Sequence, residues 1–352
     1  MLLFFDGFDH YNAWDGASGR KWDVGSNATP YAGRFEGQAV VPGALYGTMY
    51  LTKTVRHCNT MIVGCALILG NYQNVGFMVF SDDNGPQLVI GTDTITGHLT
   101  FTCGSTVVGT SGIAPPVGIW CYLEVKFQPG GLLVVYLNEV QVASFSGVPD
   151  NQGSGYVDKI TFQAGSGDFG EPVNAPIVDD LYILDTLPDI ISGNTDFLGD
   201  VRVQTRLPDA AGTGGTAWTP AMLAAGQTAL LSSANRADQV NAPVVDMGNS
   251  ALYNYDGTVN DVDLYSIANF SVAGAIYGVQ STLVFRKGDV GTRSVRHMID
   301  TNSGGPMDGG VDFDCYSSYT MATKLWTANP VTGLQWSLVD LNAAEFGVKI
   351  SV

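Results

Sequence analysis

Trp120-Cys121-Tyr122-Leu123-Glu124-Val125-Lys126-Phe127, followed after Gln128-Pro129-Gly130-Gly131 by Leu132-Leu133-Val134-Val135-Tyr136-Leu137-Asn138-Glu139-Val140-Gln141-Val142, reads as a β-hairpin. Aromatic and β-branched residues alternate with polar ones at a period of two, the signature of strands with one face in a core. Pro129 and the two glycines supply a turn, Pro by its fixed φ and Gly by its tolerance of positive φ. Tyr122, Val125 and Phe127 are expected to face an opposing sheet, each contributing roughly 1.5–3 kcal/mol on burial.

The same alternation recurs on both sides of this hairpin, at 74–80, 99–102, 140–145, 159–164 and 181–184. Turn clusters such as Asp83-Asn84-Gly85-Pro86, Pro149-Asp150-Asn151-Gln152-Gly153 and Asp168-Phe169-Gly170 separate the segments. Short strands at this spacing, without helices between them, predict antiparallel sheets packed face to face. A chain of 352 residues is long enough for two cores. The texture changes after Leu184, where Pro188, Gly193 and Asn194 interrupt the pattern, so the domains are set at 1–190 and 191–352. The second half carries strand patterns at 263–270, 275–285, 294–300 and 316–326, and a new strand is expected at 197–203. Two short helices are expected there: one after Thr219-Pro220, with Pro at the first helical position, and one over 337–346, capped by Ser337 and stopped by Gly347. The fold class is therefore all-β, two sandwich-like (jelly-roll-like) domains, the second with short helices.

Composition limits the partners. The chain carries 33 acidic against 16 basic side chains, a formal charge of −17, which repels phosphate backbones and anionic lipid. Neither nucleic-acid binding nor membrane insertion is expected, since no run approaches the roughly 20 apolar residues of a membrane span. Met1 to Phe5 lack the basic start of a signal peptide. Cys58, Cys65, Cys103, Cys121 and Cys315 form no C-x-x-C pair and are read as buried free thiols.

Phe197-Leu198-Gly199-Asp200-Val201-Arg202-Val203 follows the strand Asp179-Asp180-Leu181-Tyr182-Ile183-Leu184, and Asn329-Pro330, Trp336 and Asn342-Ala343-Ala344-Glu345-Phe346-Gly347-Val348 close the chain. This set, in this order, resembles a family of structural proteins encoded among the virion genes of tailed bacteriophages. Asp261-Val262-Asp263-Leu264-Tyr265 matches the family's "D-x-Y" strand, whereas its aromatic-rich middle motif is represented here only by 234–243. The N-terminal half is similar to concanavalin A/laminin-G sandwiches, in which a "W-x-x-L-E-V" strand precedes "V-Y-L-N-G"; Glu139 stands at that glycine's place. The resemblance implies a non-enzymatic virion protein of tail, baseplate or neck, made in the host bacterial cytoplasm. Its partners would be copies of itself, as a homo-oligomer, and other virion proteins. The alternatives are a carbohydrate-binding, receptor-recognising module of a tail fibre and a capsid decoration protein. Segment 337–352 is expected to dock in assembly, so that its removal spoils assembly more than monomer solubility.

No hydrolytic constellation is present. The glutamates Glu36, Glu124, Glu139, Glu171 and Glu345 make no E-x-D-x-E strand of the kind retaining glucanases need, and neither G-x-S-x-G nor a Gly-Lys dipeptide occurs. His10, His57, His98 and His297 stand singly, without zinc spacing. No catalytic residue is assigned. The resemblance places the first and last strands of the N-terminal sandwich side by side, which would gather Asp6, Asp9, Asp179 and Asp180 into an oxygen set for structural calcium. No other cofactor is expected. Carbohydrate-binding candidates are Trp14, Trp22, Tyr31, Tyr46, Tyr72 and Asn74, aromatic platforms and a planar amide for a host surface glycan.

Overall fold

Alternating apolar residues in 2–185 fold into strands whose inward side chains interlock from two sheets, because strand geometry sends successive side chains to opposite faces. A computed structural model describes residues 1–9, 21–25, 29–35, 37–42, 50–72, 76–163, 176–187, 194–213, 218–224, 227–230, 252–271, 274–301 and 305–352. It divides into two compact units, Met1–Gln204 and Thr205–Val352, where the sequence pattern set its boundary near 190.

The first unit runs β1 (Leu2–Asp6), β2 (Val24–Gly25), β3 (Thr29–Ala32), β4 (Gln38–Val41), β5 (Tyr50–Cys58), β6 (Met61–Ile68), β7 (Gly76–Asp82) and β8 (Gly85–Thr92). It continues with β9 (Leu99–Cys103), β10 (Thr106–Thr110), β11 (Cys121–Phe127), β12 (Leu132–Leu137), β13 (Val140–Ser146), β14 (Val157–Gln163) and β15 (Ile177–Asp185). Among the described residues, an eight-stranded sheet has the order β13-β12-β11-β6-β15-β4-β3, with β1 also on β15. A seven-stranded sheet runs β10-β9-β8-β7-β14-β5-β2. The core between them contains Cys65, Leu123, Val125, Phe127 and Ile183 from the first sheet and Phe80, Ile90, Phe101 and Phe162 from the second. All five cysteines are buried thiols.

The hairpin that opens the sequence reading is β11–β12, with one correction. Leu123, Val125 and Phe127 enter the core, whereas Tyr122 lies on the opposite face, its hydroxyl donating to the Asp180 carbonyl oxygen at 3.0 Å. Tyr122 and Val125 are three residues apart, and a period of two cannot put both on one face. The turn from β12 to β13 is Asn138-Glu139, at φ 48° and 65°. Positive φ at both residues is the type I′ pattern that fits hairpin twist, and it explains why glycine is the usual occupant at Glu139.

The second unit contains β16 (Pro208–Ala211), β17 (Thr219–Ala224), β18 (Gln227–Leu230), β19 (Leu252–Tyr255), β20 (Val262–Ile267), β21 (Val279–Phe285) and β22 (Ser294–Asp300). It ends with β23 (Met307–Asp308), β24 (Phe313–Asp314), β25 (Thr320–Trp326), α1 (Leu338–Ala343) and β26 (Glu345–Ile350). Its main sheet has the order β16-β20-β26-β22-β23, with β24 also on β22. The helix expected after Thr219 is instead β17, paired with β18 on one side and β19 on the other. Two flanking ladders satisfy more backbone groups than one isolated helical turn can. Ser337 does cap α1, accepting from Asp340 N–H in a capping box, but the helix ends at Ala343 with Ala344 as its C-cap, and Gly347 lies within β26 rather than acting as a stop. β26 is an interior strand of this sheet, so removing 337–352 takes away a strand paired on both sides, and a loss of stability in this unit is expected beside any loss of assembly.

Candidate functional site

The face of the eight-stranded sheet turned away from the core is polar at its centre. Glu124 on β11, Gly64 on β6 and Tyr182 on β15 stand in register across three strands. A Cβ at position 64 would collide with the Tyr182 ring, so glycine lets that ring lie flat across β6 and bring its hydroxyl to Glu124 Oε1. Glycine inside a strand often marks such a close approach. Burial raises the Glu124 pKa, while the tyrosine hydroxyl and strap amides oppose the shift.

Segment 194–204 lies across this face as a strap. Gly199 N–H donates to Glu124 Oε1 at 2.9 Å, and Leu198 N–H donates to the Tyr182 hydroxyl at 3.2 Å. Val203 N–H donates to Asp180 Oδ1 at 2.7 Å, and Asp200 receives the Arg34 guanidinium in a two-pronged ion pair. At the other end Lys126 Nζ meets Asp196 at 3.2 Å, and Phe197 packs on Tyr136 with ring centroids 4.7 Å apart. The N-terminal ammonium holds the start of the strap, donating to the Asn194 carbonyl at 2.8 Å. Among the described residues, the segment expected to begin a strand at 197–203 forms no β-strand and is an extended strap belonging to the first unit, Met1–Gln204. The amides of Leu198, Gly199 and Val203 are satisfied by side chains of the sheet face.

The expected calcium set takes a different form. β1 and β15 are paired, as the resemblance implied, but the four carboxylates turn to separate donors. Asp6 accepts from Trp22 Nε1 at 2.9 Å and Phe8 N–H at 3.2 Å and faces Lys21 at 3.5 Å. Asp9 accepts from Gln38 N–H, and Asp179 from the amides of Arg34 and Asp180. Asp180 holds the strap through Val203, with Arg34 Nη1 3.8 Å away. Each braces nearby donors, and among the described residues no three of these four carboxylates bring ligand atoms within 4.8 Å of one another. Burial pushes the Asp179 carboxyl up to about 6 and, with the Asp179 charge beside it, the Asp180 carboxyl up to about 7.

These shifts predict opposite pH responses for the two units. A carboxyl whose folded pKa exceeds its unfolded value binds more protons when folded, so the first unit loses stability as pH rises from about 4 to 7, on the order of 3 kcal/mol. In the second unit, burial, with the Lys324 charge second, lowers the His297 pKa to about 4. Its Nδ1 is 2.8 Å from Ser281 Oγ, which accepts Trp326 Nε1–H at 3.1 Å. There the unfolded chain binds more protons, so stability falls as pH drops from about 6.5 to 4. Thermal unfolding at pH 5 and pH 7.5 should move the two transitions in opposite directions, and Asp180→Asn should flatten only the first.

Of the carbohydrate candidates, Trp22 is corrected: it is fully buried against Phe4, Phe8 and Phe162 and has no face for a sugar. Its indole N–H needs a buried acceptor, which Asp6 supplies. Tyr72 packs over Gly97 and donates to the Pro115 carbonyl at 2.8 Å. Tyr31 is 50% exposed on the edge strand β3, beside Phe35 at 57%. Trp14, Tyr46 and Asn74 lie outside the described residues.

A group that sequence reading missed lies on the other sheet. His57 at the end of β5, Asp83 in the β7–β8 turn and Asp158 at the start of β14 have ligand atoms within 4.8 Å of one another. They are far apart in sequence, and the clue would have been that β5, β14 and β7 are neighbours.

A scan against protein-family models and a search of curated proteins find no match. Solved structures with a similar fold include the cellulose-induced protein Cip1, at 20% identity over 52% of this chain and 97% of that one, TM-score 0.39. Others are an endo-β-1,4-glucuronan lyase from the fungus Trichoderma reesei, at 13% over 53% and 96%, TM-score 0.37, and the carbohydrate-binding module CBM66 from Bacillus subtilis, at 12% over 49% and 96%, TM-score 0.30. The protein is all-β. At these values the neighbours assign it no ligand and no activity.

Proposed function

We propose that this is a non-enzymatic structural component of a tailed-bacteriophage virion, a tail, baseplate or neck part that assembles as a symmetric homo-oligomer. The observation that carries the reading is the strap. Glu124, Tyr182, Asp180 and Arg34, the polar groups that an open sheet face would offer to a polymeric substrate, are spent on holding 194–204. What remains for partners is surface. Ile113, Val117 and Ile119 stand out on one loop of the first unit, and Leu334 and Val339 on the second. Apolar side chains left in water in this way suit subunit contacts.

A second reading, a glycan-binding module, is favoured by Tyr31 and Phe35 exposed on the β3–β4 hairpin, with Arg34 and Arg202 against the Phe35 ring. Cryo-electron microscopy of purified particles separates the two when combined with a glycan array of the isolated protein. A ring or shell layer with no glycan signal is expected. A location at a fibre tip with reproducible sugar binding lost in Tyr31→Ala would favour the second reading, and absence from particles would overturn the virion assignment.

A further inference from the structure

We propose that His57, Asp83 and Asp158 form a binding site for a divalent transition-metal ion of the zinc class, independent of the strapped sheet face. His57 Nε2 lies 3.4 Å from Asp158 Oδ2 and 3.9 Å from Asp83 Oδ2. Zinc bonds of about 2.0–2.2 Å in a tetrahedron set ligand atoms roughly 3.3–3.5 Å apart, so the first pair is already at ligand spacing and the second needs a shift of about half an ångström. Asp83 can supply that shift, because its side chain is 68% exposed on a turn.

The decisive feature is Asp158. Its residue is only 3% exposed, and its Oδ1 is buried without a hydrogen-bond partner, while Oδ2 is the atom that faces His57. A buried carboxylate with an unpaired oxygen is costly unless a cation compensates it.

The surroundings orient the other two ligands. The His57 ring stacks on Tyr156, with centroids 4.0 Å apart and planes 13° apart, and the Tyr156 hydroxyl reaches Asp83 Oδ2 at 3.5 Å. Asp82 holds the turn backbone by accepting from Asn84 and Gly85 N–H, which leaves Asp83 as the outward carboxylate. One imidazole and two carboxylates suit zinc, with water completing the shell; calcium prefers six to eight oxygens and no nitrogen.

The test is calorimetric titration of the tag-free, chelator-treated full chain with zinc chloride, supported by the visible spectrum of the cobalt form. One zinc per chain, a tetrahedral cobalt spectrum and a zinc-dependent rise in the melting temperature of the first unit are expected. His57→Ala, at an exposed position that does not threaten folding, should abolish all three, and His98→Ala should leave them unchanged. Absence of stoichiometric binding in the wild type, or binding unchanged in His57→Ala, would overturn the site.

Discussion

Replacing Gly347 by alanine is expected to unfold the second unit while the first remains folded. Gly347 sits inside β26, opposite Leu264 of β20 and Met298 of β22. An added Cβ would overlap the Asp263 carbonyl oxygen and crowd the Leu264 backbone. Backbone cannot rotate aside as a flexible side chain can, so the strand must leave its register or the sheet must part. Either costs about 4 kcal/mol or more, a large share of the stability of a domain of this size. Calorimetry should show one transition lost and the other kept, and limited proteolysis should yield a resistant fragment ending near Gln204. Two unchanged transitions would show that β26 does not run between those neighbours.

Glu124→Ala is expected to release the strap. Truncation removes the acceptor of both the Tyr182 hydroxyl and the Gly199 amide, and it leaves these donors on a largely buried face. Unpaired buried donors cost about 1–3 kcal/mol each, so the first unit should lose roughly 3 kcal/mol, and 194–204 should become open to proteases. Glu124→Gln keeps an acceptor oxygen and should lose less than half as much. Equal losses in the two variants would mean that Glu124 acts through packing and not through the strap. Should Glu124→Ala gain binding to acidic or neutral polysaccharides that the wild type lacks, the strap would be a cover over a latent groove.

The sandwich was legible in the sequence because several of its strands carry two-residue alternation between marked turns, as 132–137 illustrates by coinciding with β12 and alternating half-buried with buried side chains. Faces were harder to read than strands. Tyr122 looks like a core residue by type, and only counting from Val125 shows that it points the other way. Phe197 to Val203 carries the β-branched and aromatic residues of a strand, yet a strand needs a ladder neighbour, and pattern alone cannot reveal that its partners are the side chains of Glu124, Tyr182 and Asp180. Thr219-Pro220 satisfied the local grammar of a helix start and lost to pairing on both flanks. A single glycine in an apolar run carries no signal of its purpose, and only the structure shows that Gly64 makes room for the Tyr182 ring. Among the candidate ligands, the nearness of Asp6 to the Asp179-Asp180 pair followed from the resemblance, but where each carboxylate turned was decided by nearby amides. His57, Asp83 and Asp158 belong to three strand ends that only sheet order brings together.

Amide hydrogen exchange at Leu198, Gly199 and Val203 of the intact chain decides whether the sheet face is closed in solution. Protection comparable to that of the β15 amides is predicted, since each N–H is bonded to a group fixed in the sheet. Exchange at the rate of an unstructured peptide would leave Glu124, Tyr182 and Asp180 open to a ligand and contradict the reading of this protein as a strapped, non-enzymatic assembly component.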